Sequence, residues 1–166
     1  MNLQVDIQSA SAEPVPEDED IRRWIAATLE GAAGRANARA SAAADISVRL
    51  VDEAEMTALN RSYRGKNGPT NVLAFPAQLP AELALPLLGD VVICAPVVHR
   101  EVAEQGKSAS AHWAHMAVHG TLHLLGYDHL ETSDAEDMEA LESAILTSLG
   151  FDCPYADTLV AEQVPS

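Results

Sequence analysis

Five of the six histidines in this 166-residue chain fall between positions 112 and 129. The run His119-Gly-Thr-Leu-His123-Leu-Leu-Gly126-Tyr-Asp128-His129 has the spacing of a metal cage. On a helix, residues four apart share a face and lie about 6 Å apart along the axis. His119 and His123 can then both reach one ion at roughly 2.0–2.1 Å. Gly126 is placed to end that helix, because glycine enters the left-handed conformation without steric penalty. The chain can turn back there and deliver His129 from a third direction. Three neutral imidazoles leave one position of a tetrahedral zinc open for water, whose pKa the metal lowers to about 7. A structural zinc is normally closed by a fourth protein ligand, usually including cysteine, and neither Cys94 nor Cys153 is near the run. His115 is a rival ligand, but lying ~12 Å from His123 along the axis it is expected rather to support a ligand from behind or to face substrate. His99 and His112 carry no comparable spacing. Asp128, beside His129, either orients an imidazole or acts as a base.

The same spacing occurs in the metzincin pattern H-E-x-x-H-x-x-G-x-x-H, with one departure: the Glu that serves those peptidases as general base is Gly120 here. The metal cage is kept and the base is missing, which argues against a peptidase. Charge narrows the ligand further. Ten Lys/Arg against twenty-five Asp/Glu give a net charge of −15, which excludes a general nucleic-acid coat. No cation follows Lys107, so the C-terminal helix is acidic and is expected to face solvent or a basic protein partner. Arg61, Arg64 and Lys66 form a small basic patch, and an anionic ligand must be held there or by the metal. Arg64 can grip a phosphate through two parallel hydrogen bonds, a geometry lysine cannot reproduce. The competing view of Arg64 and Lys66 is a solvated turn. Asn71 either orients a ligand or satisfies turn backbone.

The elements that must position these residues read as one α+β domain of about four strands and five helices. Alternating apolar residues mark strands at 3–7 and 46–52, and apolar runs mark others at 72–75 and 89–95. Ile21, Trp24, Ile25 and Leu29 share one face of a first helix, introduced by the acidic segment 13–20. The alanine-rich stretch 31–44 is a connector. Asp52 is expected to cap a second helix ending at Tyr63, and Pro96 to open a third. The metal helix spans about Ser108 to Leu125. Ser133 and Glu136 suggest a capping box for a last helix ending near Gly150, followed by a loosely attached tail, 152–166. No apolar stretch approaches the roughly 20 residues that span a bilayer, and the N-terminus lacks the features of a signal peptide. With only two isolated cysteines, a soluble cytoplasmic protein is expected.

HGTLHLLGYDH, together with LNRSYRGKNGPTNVLAFP (59–76) and LGDVVIC (88–94), resembles the YbeY family of bacterial endoribonucleases. The resemblance covers nearly the whole chain. It implies a zincin-like metal helix, one Zn2+ held by His119, His123 and His129, and a hydrolase specific for single-stranded RNA. It further implies a role in 16S rRNA 3′-end maturation and ribosome quality control, with ribosomal RNA, a small-subunit ribosomal protein and assembly factors as partners. The family's arginine falls on Arg64, so Arg64 and the ligand His119 are the expected catalytic residues. Arg61, Lys66, Asn71 and His115 are expected to bind substrate. One departure is Asn67, where family members commonly carry Asp. Attack by metal-bound hydroxide and attack by the RNA 2′-hydroxyl both remain open on these residues. The alternative is a non-catalytic ribosome-assembly factor whose zinc only holds the fold.

Overall fold

The computed structural model of the chain describes residues 2–32, 43–77, 87–127 and 132–151. Its elements are β1 (Asn2–Ser9), α1 (Asp18–Ala32), β2 (Ala43–Val51), α2 (Glu53–Arg64), β3 (Val72–Pro76), β4 (Leu87–Cys94), α3 (Ala95–Gln105), α4 (Ala109–Leu124) and α5 (Thr132–Ser148). Four strands form one mixed sheet in the order β1-β2-β4-β3. β1 and β4 run parallel to β2, and β3 runs antiparallel to β4. This is the expected α+β domain.

Strand patterning assigns each face of the sheet its cover. Val91 and Ile93 of β4 join Ile46, Val48 and Leu50 of β2 in the main core, beneath α1, α4 and α5. Val92 and Cys94, pointing the other way, pack with Leu73, Met56 of α2 and Val97 of α3. The continuous apolar run of β4 therefore reflects burial on both faces, as expected for a central strand. Ile21, Trp24, Ile25 and Leu29 of α1 are all buried in the main core, as their helical spacing requires. α4 lies deepest. It packs against α1, α3, α5, β3 and β4, so most of its residues are buried although it carries four histidines.

Two local expectations change. Asp52 sits at the N-cap position of α2, but its side chain makes no capping bond. Its carboxylate instead accepts from the Ser11 hydroxyl and, at 3.2 Å, from the Ala12 N–H, tying the chain after β1 to the end of β2. A carboxylate accepts from whichever N–H or O–H is closest, and the long-range partners outcompete the local cap here. α5 begins at Thr132, so Ser133 is a first-turn residue rather than the residue preceding the helix. Its side chain, most of the 31–44 connector and the 152–166 tail lie outside the described residues.

Candidate active site

α4 is delimited at both ends by its own sequence. The Ser108 side chain accepts from the Ala111 N–H at 3.0 Å, satisfying a donor of the first turn. At the other end the Gly126 N–H donates to the His123 carbonyl and the Tyr127 N–H to the Leu122 carbonyl, both at 3.1 Å. This pair of bonds is the Schellman stop, and it requires the left-handed Gly126, whose φ is +103°. The helix therefore ends where the sequence places its end. His129 and Asp128, which would follow the reversal, lie outside the described residues.

Between these ends His112, His115, His119 and His123, spaced by three, four and four, form a row. Successive ring centroids are 6.2, 6.2 and 4.6 Å apart. The closest approach is at the C-terminal end, where the Nε2 atoms of His119 and His123 face each other at 3.1 Å. Two nitrogens bound at ~2.1 Å to one tetrahedral ion sit about 3.4 Å apart. The pair thus fits a shared divalent ion with an adjustment of a few tenths of an ångström.

The neighbour that sequence reasoning missed is Glu142 of α5, only 1% exposed. Its carboxylate bridges two rings, with Oε1 at 3.0 Å from His119 Nδ1 and Oε2 at 2.6 Å from His115 Nε2. Burial by itself would raise the Glu142 pKa, but the hydrogen bonds and charges of His115 and His119 outweigh it and hold the carboxyl well below its ordinary range. Burial pushes the His115 imidazole down, against the opposing pull of Glu142. An ionised carboxylate only accepts, so the ring nitrogens facing it carry hydrogens. In the neutral ring this leaves the His119 lone pair on Nε2, the nitrogen that faces His123. The acidic helix expected to face solvent or a partner therefore turns one carboxylate inward. The signal was available in Met138-x-x-Leu141-Glu142-x-x-Ile145-Leu146, where Glu142 sits among the buried residues of the helix face.

Among the described residues His115, His119 and Glu142 also bring one donor atom each to within 4.8 Å of one another. In that group the Glu142 oxygens already serve the two rings as acceptors. The arrangement suits a carboxylate behind the ligands better than a carboxylate among them. Gly120 has a packing explanation. A Cβ there would lie 2.7 Å from Val91 Cγ1 and 3.2 Å from Val72 Cγ2, so position 120 is pressed against the sheet.

The remaining expected site residues divide into two groups. Arg61 and Lys66 are exposed and Arg64 is half-buried. The Arg64 guanidinium donates to Asn60 Oδ1 at 3.4 Å, and the Asn60 amide donates to the Gly68 carbonyl at 2.8 Å, bracing the end of α2 against the following loop. Asn71 is buried. Its amide donates to both Glu101 oxygens at 3.3 Å and its carbonyl oxygen accepts from the Val72 N–H at 2.7 Å. Glu101 in turn lies 2.8 Å from His112 Nε2. This second carboxylate–histidine contact, also absent from the sequence reading, links β3, α3 and α4. His115 is half-buried one turn before His119, with its Nε2 on Glu142.

Comparison with known proteins gives the family. The sequence model described as Endoribonuclease YbeY matches residues 5–150. Proteins named Endoribonuclease YbeY from Pseudomonas putida and Pseudomonas fluorescens are 53% and 51% identical to the chain over 156 residues. These matches cover 93% of this chain and 94% and 97% of the two relatives. A Pseudomonas syringae protein of the same name is 52% identical over 93% of this chain and 89% of its own. The solution structure of TM1509 from Thermotoga maritima shares the fold, with a TM-score of 0.55 and 21% identity, over 89% of this chain and 92% of that one. With the match running from β1 to the end of α5, the chain belongs to the YbeY family of endoribonucleases.

Proposed function

We propose that the chain is a zinc-dependent endoribonuclease that cuts single-stranded RNA, acting in 16S rRNA 3′-end maturation and ribosome quality control. The observation that carries the metal part of this reading is the pair of Nε2 atoms on α4, 3.1 Å apart, with the far side of His119 held by Glu142. The YbeY family supports the RNA substrate. His119 and His123 would hold the ion, with His129 as the third ligand. When bound, zinc lowers the pKa of a coordinated water and offsets charge developing on phosphoryl oxygens. The chain's own residues supply the rest. Arg64, whose guanidinium donates to Asn60, would take a phosphate with two parallel hydrogen bonds. Arg61 and Lys66, exposed in the same segment, would follow the backbone of a single strand. Asp128 would orient the neighbouring His129 or accept a proton.

The setting proposed is cytoplasmic, with ribosomal RNA, a small-subunit ribosomal protein and assembly factors as partners. No helix among the described residues is long and apolar enough to cross a membrane. The test is cleavage of single- and double-stranded RNA, including a 16S 3′-end precursor, by metal-free and zinc-restored protein. Cleavage is expected only with metal and only of the single strand. Arg64→Glu is expected to keep its zinc while losing activity. Full cleavage by the metal-free protein overturns the reading. A large drop in melting temperature on zinc removal, combined with unchanged function in the Arg64 variant, favours an assembly factor with structural zinc.

A further inference from the structure

We infer that Glu142, anchored by His115, is a positioning residue that fixes which nitrogen of His119 is offered to the metal. The inference rests on the reading of His119 and His123 as ligands and assigns a function to two residues outside that pair. An imidazole ligand must present a bare nitrogen, and a neutral ring has two tautomers. Glu142 selects one of them. Its Oε1 stands 3.0 Å from His119 Nδ1, so that nitrogen keeps its hydrogen and Nε2 keeps its lone pair. The selected nitrogen is the one that faces His123.

A carboxylate on a helix surface has rotational freedom that would spoil this selection. Here the freedom is removed. Oε2 is engaged by His115 Nε2 at 2.6 Å, and Met138, Leu141, Ile145 and Leu146 bury the helix face around Glu142. One carboxylate, two rings and two helices thus form a rigid clamp behind the ligand pair. His115, one turn before His119, reaches the second oxygen while the first stays on His119, which gives its spacing a purpose in this clamp.

Glutamine at 142 keeps the shape and breaks the logic. Its oxygen can serve one ring, but its NH2 then confronts the other ring's N–H, which must tilt away or change tautomer. Where the amide meets His119, the lone pair moves to Nδ1, away from His123.

The test is zinc affinity measured by competition with a chromophoric chelator, together with the visible spectrum of the cobalt-substituted protein. Wild type, Glu142→Gln, His115→Ala and His119→Ala are compared. Glu142→Gln is expected to bind zinc about 10–100-fold more weakly, the usual effect of removing a carboxylate behind a histidine ligand. Its cobalt spectrum should match wild type, because the ligands are unchanged. His115→Ala, which leaves Glu142 in place but unanchored, should weaken binding in the same direction and by less. This second variant keeps the inference testable if the Gln variant folds poorly. Wild-type affinity in both variants overturns it. A changed cobalt spectrum in Glu142→Gln also overturns it, by making Glu142 a ligand. His119→Ala separates the two levels: if it binds zinc like wild type, the ligand reading itself fails, whatever Glu142 does.

Discussion

At Gly120 a single missing methyl group decides how close α4 can come to the sheet. A Cβ would stand 2.7 Å from Val91 Cγ1, within a strand buried on both faces. Gly120→Ala is therefore expected to lower unfolding stability by about 1–3 kcal/mol, the usual range for overpacking, measured by urea titration. Gly120→Glu, which would complete the peptidase-like motif, should lower it further without producing peptide cleavage, because the side chain starts against β4. Glycine at this position was legible as a lost base, but its packing role was not, since nothing local in HGTLH indicates where the sheet lies. The same distinction applies across the site. His119 and His123 could be read from their spacing because a helix alone makes four-apart residues neighbours. The buried face of α5 signals that Glu142 turns inward, but which histidine Glu142 or Glu101 meets could not be read, because each reaches its partner only when α5 or α3 docks on α4.

Elements were legible wherever a periodic pattern coincided with a chemical stop signal. The Ser108 cap and the Gly126 reversal bound α4 within one residue of expectation, as both are satisfied by local backbone. Asp52 departed because its partners, Ser11 and Ala12, arrive from a distant part of the chain. Asn71 illustrates how elements are tied once they meet. It sits immediately before β3, with its side chain on Glu101 of α3, while Glu101 reaches His112 on α4. Asn71→Ala leaves the half-buried Glu101 carboxylate and the buried Val72 N–H each short of a partner. Unsatisfied buried groups cost about 1–3 kcal/mol, so a loss of that order in urea unfolding is expected. A stability equal to wild type would show that the three elements are held by apolar packing alone.

For the molecule as a whole, a net charge of −15 must be reconciled with an RNA substrate. Part of the positive charge is already committed: Arg49 pairs with Glu55 and Arg100 with Glu53. Arg61 and Lys66 are exposed at and just beyond the end of α2, and on the proposed reading they would meet a phosphate backbone with Arg64. Reversing both Arg61 and Lys66 to Glu should flatten the salt dependence of single-stranded RNA binding. If each contacts one phosphate, the slope of log affinity against log salt falls by about 1.4, at roughly 0.7 per contact. An unchanged slope places the RNA elsewhere on the surface. This balance of charge was visible in the sequence, whereas the pairing of Glu142 with His115 and His119 depended on the assembled fold. The central claim is that the α4 histidine pair holds a divalent ion. Its most direct test is calorimetric zinc titration of metal-free wild type, His119→Ala and His123→Ala. One zinc per chain in wild type, with binding lost in both variants, is the expected result; a full-strength isotherm in either variant would contradict it.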